Sequence, residues 1–514
     1  MKIVIDNSKK ESAHGHFMYL ARTCPAALFA LIPAVVSVLL IDSCTVAWCD
    51  ELCLCDGMYM RALRGIEWSA VSACAYNPLY PMILYLWAKL FGASHFAVCA
   101  LSVIIGYFAC IVISSIARRR GWWKSLWADA AFVFLFWGGW HFAPELTTAR
   151  PDVLVLLLSA MFADALARNG ADGHHLLRVF STATVLFLSA PYPLPILFFF
   201  GLFLIATAKD PTARKTLIAR GFAATAGFTV GVGITIVYYA MHQDLMRLIG
   251  SYIYFNTITG FAPEPFWMRV VNGYLYDIAA SAILLLSLSF GKLDKKSWAA
   301  LCFVISIPFL MTVGGRFESY YLWAFYVPCI LLSVHALSNR GDKAISILTV
   351  IGVAMWVSFN VSRYRDSESQ RKLDMACRTF VEKHGTYFSR NTDVIVAENV
   401  EGRCNFYYPL MNHEARVWFR GENALNGRSD EEKFKEGLAL IPCNEEMRSR
   451  IFEFIAKVQR FVPLLPESGL VLFYSEDDVK NVKPLFESKG CVLQPLEKDG
   501  YLSLWKMERN VTCK

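Results

Sequence analysis

The sequence is short of charge: only 18% of its 514 residues are Asp, Glu, Lys or Arg, where soluble domains carry about 25%. With 55% hydrophobic residues and a mean hydropathy of +0.39, that shortage excludes a wholly soluble protein and calls for an integral membrane part. The net charge of +7 is too small to argue for nucleic acid. No small-residue cleavage site follows the first apolar core, so the N-terminal segment reads as a signal anchor rather than a cleaved signal peptide. Fifteen cysteines are present, yet no paired Cys-x-x-Cys units with His partners occur, which argues against a metal cluster. Cys49, Cys53 and Cys55, and Cys377, Cys404, Cys443, Cys491 and Cys513 farther on, read as packing residues or as disulfide partners in an oxidising compartment. There is neither an internal repeat nor a cluster of mid-span charges, because Asp129 and Asp164 fall near span ends. Both features would be expected of a transporter.

The apolar runs supply about eleven membrane spans, each near the ~20 residues a bilayer needs. The first covers residues 25–47, with Asp42 near its far end, and the last covers 344–361. Short basic loops fall on one side under a single alternation: Arg118-Arg119-Arg120 with Lys124, the stretch 168–178, the loop 209–220, Lys292 to Lys296, and Arg340 with Lys343. The excess of Lys and Arg makes that side cytoplasmic, with the N-terminus. The outer loops 48–96, 143–152 and 241–270, and the whole of 362–514, then lie on the other side. The expected architecture is a polytopic α-helical domain, 1–361, followed by an extracytoplasmic α/β domain, 362–514. Within the second domain, residues 393–398, 469–473 and 501–506 read as strands, and 431–437 and 445–458 as helices. It contains no nucleophile elbow, phosphate loop or metal signature, so a binding or capping role is its reading.

Trp48-Cys49-Asp50-Glu51 follows the first span directly. Paired carboxylates cost several kcal/mol inside lipid, so they belong at or beyond the interface. They are read as the centre of an active site facing away from the cytoplasm. The stretch 52–66 mixes apolar and charged residues in the manner of an interfacial helix, and Asn77-Pro78-Leu79-Tyr80-Pro81 opens an apolar run to Phe91 that is too short to span.

Trp48-x-Asp50-Glu51 resembles the Asp-Glu motif of the GT-C superfamily of membrane glycosyltransferases. The match is closest to the branch of protein O-mannosyltransferases and lipid A aminoarabinose transferases. The same order of motifs continues through the Pro-Leu-Tyr segment at Pro78, Leu-Trp-Ala-Lys-Leu-Phe-Gly from Leu86, and Ala117-Arg118-Arg119. Ala149-Arg150-Pro151-Asp152 and Arg316 with Tyr320-Tyr321-Leu322 and Pro328 follow. The resemblance covers roughly residues 20–340 and implies transfer of a sugar from a polyprenyl-phosphate donor to a lipid, glycan or protein acceptor at the outer face of the membrane. A bacterial inner membrane is the implied location.

Under that resemblance Asp50 is the general base, with Glu51 beside it. Such transfer needs a carboxylate to take the acceptor hydroxyl proton as the sugar–phosphate bond breaks. Arg150 and Arg316 are candidates for the donor phosphate, which a guanidinium fork matches bidentately. Asp152, Tyr80 and Tyr320 join them as substrate-binding residues. No cofactor is expected, and a divalent metal assisting the reaction stays open. Blander roles stand beside these: a solvated helix end for Asp50 and Glu51, snorkelling anchors for both arginines, a helix cap for Asp152. Asp42 is a rival carboxylate. A multi-span transporter and a non-catalytic scaffold presenting residues 362–514 are the rival functions.

Overall fold

The computed structural model describes residues 25–44, 77–92, 95–139, 143–148, 150–168, 173–190, 193–208, 210–241, 278–291, 295–313, 323–389, 392–398, 415–421, 430–439, 444–458 and 465–509, with a few single positions between them. The helices are α1 (Ala26–Cys44), α2 (Leu79–Phe91), α3 (His95–Arg119), α4 (Leu126–Gly138), α5 (Asp152–Ala167), α6 (Gly173–Ser189), α7 (Leu194–Thr207), α8 (Pro211–Met241), α9 (Ile278–Phe290), α10 (Lys295–Val313), α11 (Trp323–Ser338) and α12 (Asp342–Lys383). Three stretches among the described residues are long and apolar enough to cross a membrane, Phe96–Arg119, Pro211–Met241 and Asp342–Arg365, and shorter apolar helices pack around them.

Lipid tails are as apolar as leucine, so close approach and hydrogen bonding hold such helices together rather than hydrophobic burial alone. In α8, Gly227 and Gly231 lie one turn apart against α6: a Cβ on Gly227 would stand 2.3 Å from the Phe180 carbonyl oxygen, and one on Gly231 would stand 2.9 Å from Phe187 Cβ. The Thr184 hydroxyl donates to the Gly227 carbonyl at 3.0 Å across the same seam. The α4–α12 seam works alike. Gly138 admits the Trp356 backbone, and the Thr349 hydroxyl donates to the Trp127 carbonyl at 2.9 Å.

Two boundaries differ from the sequence expectation. The loop expected over 209–220 is helical from Pro211, because Asp210 caps it: its carboxylate accepts from the Thr212 and Ala213 amides at 3.1 and 3.3 Å, and proline is well suited to the first helical turn. The last apolar helix does not stop at 361 but runs as α12 to Lys383. Its final turns place Leu373, Ala376, Cys377, Phe380 and Val381 on one stripe, which packs on the C-terminal sheet.

That sheet has five strands, β1 (Asp393–Glu398), β2 (Arg416–Gly421), β3 (Ser468–Phe473), β4 (Cys491–Asp499) and β5 (Leu502–Arg509), in the order β2-β1-β3-β5-β4. β2, β1 and β3 are parallel, while β3-β5-β4 are antiparallel. Alternation along the strands makes two faces. Val394, Val396, Leu470, Leu472 and Leu504 meet α12. Ile395, Ala397, Val471, Phe473 and Met507 meet Val482 and Phe486 of helix α15 (Glu476–Ser488). Helices α13 (Asp430–Ala439) and α14 (Glu445–Val458) pack through Phe434, Leu438 and Ile455. Val417 of β2 touches both the membrane core and the core of the sheet, so the two parts meet through α12 and β2.

Candidate active site

Arg150 and Asp152 come together at the N-terminal end of α5. A short 3-10 helix, Ala143–Thr147, brings the chain back toward the bundle, and the Arg150 amide donates to the Thr148 carbonyl at 2.9 Å. Pro151 then starts α5 with Asp152 in its first turn, where a carboxylate favours the positive end of the helix dipole. Arg150 Nε lies 3.1 Å from Asp152 Oδ2, and the two side chains are only 10% and 2% exposed. An ion pair that buried is costly to desolvate, and it holds a guanidinium group at the start of α5.

Two further elements close on this end. Arg363 of α12 donates from Nη2 to Thr147 Oγ1 at 3.0 Å and lies over the Phe359 ring, 5.2 Å from its centroid. The Asn77 amide donates to the Phe187 carbonyl near the C-terminal end of α6, which fastens the start of α2. Tyr80 follows one turn later and is wholly buried in the helical core. One residue beyond Arg363 a groove of about 800 Å³ opens between α12 and the β4–β5 hairpin. Tyr364, Glu368, Lys372, Met375, Asp499 and Tyr501 line it, with aromatic and apolar walls and both signs of charge.

Asp50, Glu51, Arg316 and Tyr320, together with Cys49, Cys53 and Cys55, lie outside the described residues. Asp42 falls within α1. Among the described residues no group of His, Cys, Asp and Glu could hold a metal. Cys99, Cys110, Cys329, Cys377 and Cys491 are buried, as packing cysteines are. Arg363 escaped the sequence reading, and Asn77 was read as the start of an apolar run rather than as a residue that fastens it to α6. The signal for Arg363 was its place two residues beyond the end of the last apolar run.

No protein-family model matches the chain, and no curated protein matches it by sequence. Solved structures do. ArnT from Cupriavidus metallidurans in the apo state superposes with a TM-score of 0.61 at 11% identity, over 96% of this chain and 98% of that one. The chain has a GT-C fold. The same ArnT bound to undecaprenyl phosphate superposes with a TM-score of 0.59, at the same identity and coverage. The GT-C fold class read from the motif order over roughly residues 20–340 is borne out, and the likeness, which spans 96% of this chain, extends beyond that range into the C-terminal part.

Proposed function

We propose that the protein is a membrane glycosyltransferase that moves a sugar from a polyprenyl-phosphate donor to a lipid, glycan or protein acceptor on the extracytoplasmic side. The observation that carries this reading is the full-length GT-C fold, shared with a protein solved with undecaprenyl phosphate bound. It is supported by the distribution of charge along the helices. Arg118, Arg119, Arg120, Arg168, Arg178 and Arg220 gather at one end of the bundle, and Arg150, Asp152 and Arg363 at the other. The positive-inside rule puts the first end in the cytoplasm and residues 362–514 outside it.

In the reaction the Asp50 carboxylate takes the acceptor hydroxyl proton as the acceptor oxygen bonds to the anomeric carbon. The bond from that carbon to the donor phosphate breaks, and the phosphate leaves with the electron pair. Arg150, oriented by Asp152, and Arg316 stabilise the charge that develops on it. Glu51 lies beside the base, and Tyr80 and Tyr320 belong to the substrate-binding surroundings.

The test combines a binding and a product measurement on the full-length protein. Undecaprenyl phosphate should bind the purified protein. Cells lacking the protein should lose a glycosylated lipid, glycan or protein that mass spectrometry of the envelope detects. Asp50→Asn should reproduce that loss while leaving expression and undecaprenyl phosphate binding intact, since a missing general base costs about 10²–10⁴ in rate. An unchanged envelope together with no undecaprenyl phosphate binding would return the protein to the scaffold reading.

A further inference from the structure

Five arginines from neighbouring helices and their connections converge at the end of the bundle opposite Arg150 and Asp152. Their centre is Asp164, 3% exposed, about 18 Å along the α5 axis from Asp152. Arg120 donates from Nη2 to its Oδ1 at 3.0 Å, Arg119 from Nη2 to Oδ2 at 3.2 Å and Arg168 from Nε to Oδ2 at 2.8 Å. Arg178 Nη2 stands 3.8 Å from the same oxygen. Arg220 of α8, buried at 2%, donates from Nη1 to the Leu166 carbonyl at 2.6 Å. Among the described residues four guanidinium groups therefore lie within 3.8 Å of one carboxylate, and a fifth, that of Arg220, binds the same helix end two residues on. The C-terminal carbonyls of α5 offset part of the excess, since Arg120 also donates to Ala167 at 2.8 Å. They leave Arg168 Nη2, which is buried and has no hydrogen-bond partner among the described residues.

The neighbouring pair shows what a self-sufficient cluster looks like. Asp129 meets one guanidinium, that of Arg118, bidentately, and Ser114 and Trp123 complete its hydrogen bonds. Arginines that serve only to set topology would spread into water. Those around Asp164 turn onto one carboxylate and one helix end instead, with side-chain exposures of 25% at Arg168 and 53% at Arg119, closer together than a screening length, an arrangement that suits an anion with several oxygens. Exposed apolar side chains flank the cluster: Leu177 beside Arg178, and Ile218 and Phe222 on either side of Arg220.

We propose that the Asp164 cluster is a binding site for the phosphate of an anionic phospholipid headgroup, with the acyl chains lying along Leu177, Ile218 and Phe222. Basic pockets between helices on the cytoplasmic side suit such headgroups, and arginine forks match phosphate bidentately. The apolar flank favours a lipid over free phosphate. This site does not depend on the transferase reading.

The experiment uses the full-length protein, delipidated in neutral detergent, with dioleoylphosphatidylglycerol, dioleoylphosphatidylcholine and inorganic phosphate as probes. Phosphatidylglycerol should raise the thermal midpoint and bind by native mass spectrometry, while phosphatidylcholine should do neither. Arg168→Gln with Arg178→Gln should weaken phosphatidylglycerol binding by about fivefold for each arginine removed, and Lys343→Gln at the start of α12 should leave it unchanged. If the double variant fails to fold, Arg119→Gln, whose side chain is 53% exposed, carries the same test. Equal binding of the two lipids, or an undiminished preference in the variants, overturns the proposal. Protection by inorganic phosphate as strong as that by phosphatidylglycerol would overturn the lipid as the source.

Discussion

Arg363 of α12 donates a hydrogen bond to the Thr147 hydroxyl at 3.0 Å, tying the helix that carries the C-terminal sheet to the segment that presents Arg150. The contact spans 216 positions of sequence, and α12 runs unbroken from it to Phe380 and Val381 in the sheet's core. α12 thus joins the sheet's core to the segment that presents Arg150, beside the contact that Val417 of β2 makes with the helical core.

That relationship gives the first prediction. A hydrogen bond from a charged donor contributes about 1.5–3 kcal/mol, and the guanidinium over Phe359 adds roughly 0.5–1 kcal/mol. Arg363→Ala should lower stability by about 2–3 kcal/mol, and Thr147→Ala by less. A double-mutant cycle read by SDS titration in mixed micelles should show coupling between the two positions. Additive effects would mean that Thr147 and Arg363 are neighbours without a shared role.

The C-terminal part makes a separate pH prediction. Lys383 at the end of α12 donates to Asp499 at 2.6 Å, and Lys498 donates to Glu476 at the same distance. These hydrogen bonds hold both carboxyls below their ordinary values of 3.8 and 4.5. Each group then contributes stability at pH values above the ordinary value and loses it as pH falls through the depressed one. Both carboxyls are exposed, so the contribution is small and screened by salt. Lys383→Gln combined with Lys498→Gln should flatten the loss of thermal stability between about pH 5 and 3. An unchanged slope in the double variant would assign the acid sensitivity to other groups.

The legible parts of the sequence were those where one signal dominated. β1 and α14 have the expected bounds, Asp393–Glu398 and Glu445–Val458, since each is a clear run of one periodicity. The second half of α12 was hidden by its charges, although 373, 376, 377, 380 and 381 carry the i, i+3, i+4, i+7, i+8 stripe of a buried helix face. α15 was missed because Pro484 lies inside it, where proline usually breaks a helix. Its start was written in Ser475, whose hydroxyl accepts from the Asp478 amide at 3.1 Å. β2 is short, with an arginine near each end, and gains its strand character from pairing with β1. At the site, Ala149-Arg150-Pro151-Asp152 could be read as a motif but not as a buried pair. The partners that Thr147 and Asn77 find, in α12 and α6, are long-range contacts that no local pattern encodes.

Arg316 offers a test of the donor assignment. If it holds the donor phosphate, Arg316→Lys should reduce transfer nearly as much as Arg316→Ala, because lysine supplies the charge without the fork. The defect should appear when the donor is varied and not when the acceptor is varied. A membrane anchor behaves otherwise, since lysine snorkels as well as arginine. Full activity in Arg316→Lys, with Arg316→Ala impaired only in expression, would establish the anchor.

The Arg150–Asp152 pair allows structure and function to be separated. Removing one member of a buried ion pair strands the other charge, at a cost of about 3–5 kcal/mol, whereas replacing both by apolar residues of similar volume is often neutral or stabilising. Arg150→Met and Asp152→Leu should each destabilise the protein when made alone, and the double variant should regain most of the loss in the same SDS titration. Sugar transfer should follow a different order. If Arg150 stabilises the leaving phosphate, the double variant stays inactive despite its recovered stability, and undecaprenyl phosphate binding weakens in it and in Arg150→Met alike. Asp152→Asn, which keeps the shape but not the charge, should retain part of the binding while losing rate, because the guanidinium is present but no longer held in place. Recovery of transfer in the double variant would make the pair a fastening of α5 and nothing more, and would leave Arg316 as the candidate for the phosphate.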